Sequence, residues 1–320
     1  MDKKSLIVIS INAAILLIIA SLTNVVGYQT VQVSNLVGTN NEVNKKELLF
    51  QTILDLTNSN EIQWKSPSEP ILLVHGWQFT GPFSPDDLWN NMAYKLTEDN
   101  ESSLVGGMER YTGNGFIVYI SHYAHDITEG MHKDIREYAN NLAEEIDLMK
   151  SKENASKVVI VAHSMGGLVS RAYIESSDFG NNSYRDDVSK LIMLGVPNHG
   201  VNWRLIFTVF PILPLIYLFF IVMRWIAEWQ MRPYSSFLNI LNHGKPLKLS
   251  GEDIINSDVD YSTIAGNKSK SIIWGDIDGF ISVKSVQLSN VQHFNFPVYH
   301  DELRTNNSVY LKVKELILQS

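Results

Sequence analysis

A serine with the surroundings of a nucleophile lies at the end of an apolar run. Residues 158–161 read VVIV, and residues 162–167 read AHSMGG with Ser164 in the third place. A serine on a sharp strand-to-helix turn presents its hydroxyl above the sheet, and its neighbours must be small because the turn is crowded. The helix that follows directs N–H groups at developing negative charge, which suits the N–H of Met165 to an oxyanion. The pattern predicts Ser164 as a nucleophile; a glycine-rich turn capped by a serine is the alternative.

The elements around this turn alternate between strands and helices. Short apolar runs predict buried parallel strands at residues 71–74, 116–120, 158–161, 191–194 and 271–274. Apolar side chains recur at near-helical spacing over residues 131–149, and residues 309–318 predict a closing amphipathic helix. This alternation is typical of the α/β class.

From about Glu69 onward, the chain resembles the α/β-hydrolase superfamily in its lipase and esterase branch. The segment AHSMG at residues 162–166 is similar to the nucleophile elbow of small bacterial lipases that begin it with Ala, and LGVPNHG at residues 194–200 is similar to a structural segment of the same families. The resemblance implies a mostly parallel sheet flanked by helices. It also implies that the residue after the HG pair, Trp77, donates its backbone N–H to the oxyanion beside that of Met165; a plain loop aromatic is the alternative.

The resemblance further implies the order nucleophile, acid, base along the chain. Asp276 and Asp278 both follow the predicted strand at 271–274, and the family's D-G-x-V/I-S/P turn aligns Asp278 with the acid. Asp276 is then expected to be a turn or capping residue.

Two histidines lie late enough in the chain to be the base. His300 follows an extended run at residues 294–299 and precedes the final helix, as the family histidine does. His293 precedes that run and would lie at the wrong end of its strand. We therefore assign His300 as the general base that Asp278 orients.

An insertion after Gly200 contains an uncharged segment, residues 205–223, with Arg and Trp on both flanks. About 20 apolar residues suffice to cross a membrane. A single crossing would separate Ser164 from Asp278 and His300, which excludes a shared active site.

A lid keeps the site intact. Pro211 and Pro214 would break a straight helix, so two short helices in a hairpin are expected. We predict an apolar helical lid over about residues 201–249 that covers the acyl pocket or dips into a lipid surface, with Phe219 and Phe220 among its substrate-facing residues. An ordinary buried helical insertion is the alternative.

The start of the chain predicts membrane targeting. Lys3 and Lys4 precede an apolar stretch at about residues 6–26, longer than the ~7–15 residues of a signal's apolar region. We expect residues 1–27 to be an uncleaved anchor or a cleaved signal, with a buried core helix as the third possibility. Residues 28–45 are expected to be a stalk and residues 46–320 the hydrolase domain. Positive charge at the start predicts that the rest is extracytoplasmic.

Composition excludes several classes of function. The 320 residues include 26 Lys+Arg and 34 Asp+Glu, for a net charge of −8, so nucleic acid is not an expected partner. The chain has no cysteine, which rules out disulfides, thiolate metal sites and a cysteine nucleophile. No histidine spacing suggests a metal site, and no cofactor is expected.

The sequence therefore predicts a serine hydrolase that acts on lipid-like or other carboxylic esters, at a membrane surface. Acyl transfer to an alcohol with the same triad is one alternative. A catalytically silent, membrane-attached binding module of the same fold is the other.

Overall fold

A central β-sheet organises the part of the chain that the structure describes. The computed structural model describes residues 69–76, 84–99, 101–124, 133–176, 184–201, 226–247, 251–271 and 275–319. Their strands are β1 (Ile71–Val74), β2 (Ser103–Val105), β3 (Met108–Gly113), β4 (Phe116–Ile120), β5 (Val158–His163), β6 (Val188–Leu194), β7 (Asp260–Gly266), β8 (Ser269–Ser271), β9 (Gly275–Ile277) and β10 (Gln292–Phe296). The sheet has the order β2-β3-β4-β1-β5-β6-β7-β10, and β8 pairs with β9 in a separate hairpin.

The strands from β4 across to β10 all run parallel. Strands β2 and β3 extend one edge in antiparallel pairing. Parallel neighbours need long crossover connections, which helices usually provide. The described helices are α1 (Pro85–Thr97), α2 (Ile135–Glu153), α3 (Met165–Ile174), α4 (Ile226–Gln230), α5 (Ser236–His243), α6 (Val283–Val286), α7 (Asn307–Leu318) and a 3-10 helix (Asp301–Arg304). None of the helices in these described ranges is long and apolar enough to cross a membrane.

Strand β5 lies in the middle of the sheet between β1 and β6, and every one of its residues is buried. Its side chains alternate between two hydrophobic layers. Ile160 and Ala162 pack on the side of α2 and α3, whereas Val159 and Val161 pack on the side of α1 and α7. The sheet is therefore covered by helices on both faces, which explains why its central strands are continuous apolar runs. This confirms the predicted α/β architecture.

The predicted elements differ from the observed ones mainly in the segment before Asp278. The helix predicted at 131–149 is α2, Ile135–Glu153, and the run at 191–194 is the second half of β6. The strand predicted at 271–274 is described only at Ser271, which ends β8 in the hairpin and not in the main sheet. The strand that extends the sheet next to β6 is β7, whose sequence DYSTIAG lacks the apolar run that marks the others.

The parallel register brings the carboxyl ends of the central strands to one edge. Val74 of β1 pairs with Ala162 of β5, His163 pairs with Leu194 of β6, and Leu194 pairs with Ile264 of β7. Ligands of open α/β sheets bind outside this edge. Residues that follow these strands are therefore candidates for one shared site.

Candidate active site

Ser164 occupies a strained turn between β5 and α3. Its backbone has φ 54° and ψ −130°, values that a non-glycine residue seldom adopts. The Ser164 N–H donates to the carbonyl of Leu194 at 2.9 Å, and its own carbonyl accepts from the N–H of Gly167 at 3.1 Å. These two hydrogen bonds hold the turn against the sheet and start the helix directly behind it.

Close backbone approach at the turn explains its glycines. A Cβ on Gly76 would lie 2.5 Å from the Cβ of Ser164, and one on Gly166 would lie 2.2 Å from the carbonyl oxygen of His75. A Cβ on Gly167 would lie 2.1 Å from a methyl group of Val196. The segment after β1, the turn after β5 and the LGVPNHG segment therefore touch in a way that side chains would prevent.

Helix α3 begins at Met165, so its N–H is one of the first-turn donors that have no partner within the helix. Met165 is buried at the end of the turn. Trp77, the other predicted oxyanion donor, lies outside the described residues.

Asp278 and His300 form a buried pair. The Nδ1 of His300 donates to Oδ2 of Asp278 at 2.7 Å, and the His300 N–H donates to the Asp278 carbonyl at 2.9 Å. The other carboxylate oxygen accepts from the N–H groups of Phe280 at 2.9 Å and Ile281 at 2.7 Å. The Asp278 side chain is 0% exposed and that of His300 is 11% exposed. The pair thus has an oriented imidazole with one ring nitrogen left for chemistry.

The competing candidates lie elsewhere. Asp276 is exposed on strand β9, where it lies opposite Lys270 of β8 in the antiparallel register. His293 lies near the start of β10 and bonds to Thr263 and Asn295, and partial burial lowers its pKa. Of the two pairs weighed in the sequence, the structure joins Asp278 to His300.

The His300 ring lies against the element next to the elbow. A Cβ on Gly195, one residue past β6, would lie 3.0 Å from the ring atoms Cε1 and Nδ1. Phe280 meets the ring edge-on at 5.9 Å. The hydroxyl of Ser164 makes no hydrogen bond to His300, both residues being described. Such contacts are often long in the absence of substrate and tighten when it binds.

Two further histidines are buried beside the elbow. The ring of His163 lies 4.5 Å from that of His300, and its Nε2 donates to the His300 carbonyl at 3.0 Å. His75 stacks on Tyr123 at 4.5 Å and bonds to the Gly76 carbonyl. Burial lowers the pKa of His163 well below its usual range and that of His75 to about 4, so both rings are neutral near pH 7. In the sequence, these residues only flanked the motifs.

A buried arginine ties the elbow helix to the LGVPNHG segment. Arg171 of α3 is fully buried and forms two hydrogen bonds to Glu175, each 3.2 Å long. Its guanidinium also donates to the amide oxygens of Asn198 at 3.1 Å and Asn242 at 2.8 Å. Asn198 in turn donates to the carbonyl of Val286 at 2.7 Å. The structural role inferred for LGVPNHG therefore has a physical basis in this network.

The start of the predicted insertion is held to residues 231–233. The N–H of Val201 donates to the carbonyl of Met231 at 2.8 Å, and Gly200 lies so close to Pro233 that a Cβ would approach its backbone nitrogen to 2.5 Å. The chain thus leaves this part of the molecule at Val201 and returns to it at Met231. Residues 202–225, including Phe219 and Phe220, lie outside the described residues.

Comparison with known proteins places this geometry in context. A family model described as a PGAP1-like alpha/beta domain matches residues 68–206. The mature form of the Bacillus licheniformis lipase BlEst2 has a TM-score of 0.54 and 18% identity, with 79% of this chain and 92% of that chain covered. Its propeptide form has a TM-score of 0.56 at 18% identity, with 79% and 51% covered.

A phospholipase, PlaB from Legionella pneumophila, has a TM-score of 0.50 and 13% identity, with 79% of this chain and 60% of that chain covered. No curated protein sequence matches the chain. At these identities, the likeness shows the fold. The α/β-hydrolase fold expected from the motifs is confirmed, and the similar solved structures include bacterial lipases.

We predict that loss of Arg171 from this network strongly destabilises the protein. Arg171→Met should lower the free energy of unfolding by about 3–5 kcal/mol, because it removes the positive charge that donates two hydrogen bonds to the buried Glu175 carboxylate. Arg185→Met is the matched control, since Arg185 is 46% exposed in its ion pair with Asp147, and such surface pairs contribute about 0–1 kcal/mol. Urea unfolding followed by tryptophan fluorescence measures both. Equal midpoints for the two variants would contradict the prediction.

Proposed function

We propose that this chain, which has an α/β-hydrolase fold, is a serine hydrolase that cleaves carboxylic esters through an acyl-enzyme. The observation that carries the proposal is the buried Asp278–His300 pair at the same sheet edge as the strained Ser164 turn. A nucleophile presented on a turn, beside a base that an acid orients, is the arrangement that acyl transfer requires.

Each group has one task in the proposed reaction. The Ser164 oxygen attacks the ester carbonyl while His300 Nε2 takes the hydroxyl proton, and Asp278 stabilises the imidazolium through Nδ1–H. The N–H of Met165, with that of Trp77 as the second donor, holds the oxyanion. The tetrahedral intermediate then releases the alcohol, which receives the proton from His300. Water then attacks the acyl-enzyme while His300 takes its proton, and His300 returns that proton to the Ser164 oxygen as the carboxylic acid leaves.

Exposed aromatic side chains beside the base support an apolar ester as substrate. Phe280 and Tyr299 are each 47% exposed, and Phe280 touches the His300 ring. Because His300 must protonate the leaving alcohol, that alcohol has to lie close to these rings. An apolar or amphiphilic leaving group would bury them, whereas a strongly polar one would not.

A second aromatic surface supports action at a lipid surface. Trp229 is 54% exposed and Tyr234 is 74% exposed, and the Arg232 guanidinium lies 3.6 Å from the centre of the Trp229 ring. They line a cavity of about 510 Å³ next to the first turn of α2. Aromatic rings beside arginine are typical of groups that enter the headgroup region of a bilayer.

Topology directs this surface toward the same side as the catalytic groups. Gln230 donates to the Asp134 carboxylate at 2.8 Å and accepts from the Ile135 N–H at 2.8 Å. Since α2 follows β4, its first turn lies at the carboxyl edge of the parallel strands. A bilayer that contacts Trp229 and Tyr234 would therefore face the edge that carries Ser164.

The proximity of Val201 and Met231 also supports the lid. A single crossing by residues 205–223 would put Val201 and Met231 on opposite sides of a hydrocarbon layer about 30 Å thick, where they could not share a hydrogen bond. The insertion as a lid, residues 1–27 as a membrane anchor or signal, and an extracytoplasmic location belong to this proposal.

We predict that Ser164→Ala abolishes hydrolysis of a soluble p-nitrophenyl ester and leaves the fold intact, because the substitution removes only one oxygen. A serine-directed phosphonate should label the parent chain once and should not label the variant, as intact-mass spectrometry would show. Thermal unfolding of both proteins is the control for folding. Equal rates or equal labelling would rule out Ser164 as the nucleophile.

The acid and base assignments predict a pattern across two matched pairs. His300→Ala should lose activity about as completely as Ser164→Ala, and the double variant should be hardly worse because the triad acts as a unit. His293→Ala should keep most activity. Asp278→Asn should cost far more than Asp276→Asn, since only Asp278 bonds to the base. Reversal within either pair would refute the corresponding assignment.

The lipid surface proposal predicts a loss that depends on the physical state of the substrate. In a chain that starts at Tyr28, Trp229→Ser with Tyr234→Ser should weaken sedimentation with phospholipid vesicles and lower rates on aggregated long-chain esters. Rates on a short soluble ester should change much less. Leu104→Ser is the control, because Leu104 is 75% exposed on the edge strand β2. Equal vesicle binding by both variants would contradict the proposal.

A further inference from the structure

We infer that His163 is a positioning residue that sets the distance between the nucleophile and the base, through its hydrogen bond to the backbone of His300. The inference rests on the proposed function, because it assigns His163 a task in that same reaction.

The connection spans the two parts of the site that must meet. His163 is the last residue of β5 and directly precedes Ser164, whereas His300 lies 137 residues further along the chain. The His163 Nε2 donates to the His300 carbonyl at 3.0 Å. Residues 161–167 of the elbow and residues 298–304 around the base are all described. One hydrogen bond joins these two segments, and it is this one. His163 is covalently bonded to Ser164 and hydrogen-bonded to His300, so it joins the two residues.

The remaining contacts of His300 fix its other degrees of freedom. Its N–H and its ring Nδ1 are both bound to Asp278, so that residue fixes the ring's direction. Neither bond fixes how far the whole turn stands from the elbow. The bond from His163 to the His300 carbonyl does, and the two rings pack at a centroid distance of 4.5 Å with their planes inclined by 43°. Packing and hydrogen bonding thus act in the same place.

A neutral imidazole is suited to this position. Burial lowers the pKa of His163 well below its usual range, and the charges of His300 and Arg304 lower it further. With Nε2 protonated to serve as the donor, Nδ1 carries no proton and the ring has no charge. A cation in the same place would repel the imidazolium that forms on His300 during the reaction. The ring therefore positions the base without opposing its protonation.

Two amide variants of the full chain distinguish the hydrogen bond to the His300 carbonyl from the packing of the His163 ring. The side-chain nitrogen of His163→Gln takes approximately the place of Nε2 and can still donate to the His300 carbonyl. That of His163→Asn corresponds to the Nδ1 position and falls short. For a soluble ester, we expect kcat of His163→Asn to fall about 10- to 100-fold with KM nearly unchanged, the scale of a misplaced catalytic group. His163→Gln should remain within a few-fold of the parent.

Phosphonate labelling and proton NMR complete the test. The labelling rate of Ser164 should follow kcat, because it also needs the base. The downfield resonance of the His300 Nδ1–H should persist in His163→Gln and should be lost by broadening in His163→Asn. Equal kcat in the two variants, or a change confined to KM, would overturn the inference. A parent chain that neither turns over ester nor reacts with phosphonate would instead refute the proposed function. In that case, loss of the Nδ1–H resonance in His163→Asn and its retention in His163→Gln would still support the positioning contact, and identical spectra would overturn it.

Discussion

The backbone of Ser164 is the constraint on which the rest of this site depends. A non-glycine residue at φ 54° and ψ −130° costs on the order of 1–3 kcal/mol, and it persists only when its surroundings fix it. Here the buried strand β5 enters the turn, helix α3 leaves it, and the carbonyl of Leu194 holds its N–H. Because the turn is this tight, the segments around it must approach without side chains. Gly76, Gly166 and Gly167 provide that approach.

A buried carboxylate is the second constraint. Asp278 is almost completely removed from water, and an unsatisfied charge there would be strongly unfavourable. Its oxygens instead accept from the His300 ring and from two backbone N–H groups of the following turn. The backbone donors come from residues 280 and 281, so the turn that contains the acid also satisfies it. The carboxylate is thereby held in one orientation, and its bond to Nδ1 leaves Nε2 as the other ring nitrogen of His300.

The Arg171 network connects this local geometry to the region that would admit substrate. Its guanidinium reaches the LGVPNHG segment at Asn198, before the predicted insertion, and helix α5 at Asn242, within the second half of it. A buried ion pair of this kind adds little net stability compared with apolar residues, but the loss of one partner is costly. It therefore favours one arrangement of three chain segments over others. Helix α5 directly follows the segment with Trp229 and Tyr234, so its attachment to Arg171 also restrains the surface of the proposed lipid contact.

The sequence by itself determined the features that depend on neighbours in the chain. The apolar strand, the small residues after it and the helical pattern beyond Ser164 lie within about fifteen residues, so the elbow was predictable from local pattern. Family likeness added Asp278 and His300, and the structure pairs them; their catalytic roles, with those of Ser164, Met165 and Trp77, stay predictions.

The strand β7 was missed because Ser262 and Thr263 interrupt its apolar pattern, although both are buried in the sheet. Only the tertiary structure decided that His163 meets His300, that Arg171 meets Asn198 and Asn242, and that Val201 returns to Met231. These contacts join residues 27 to 137 positions apart, and spacing along the chain carries no information about which distant polar groups share the same buried space.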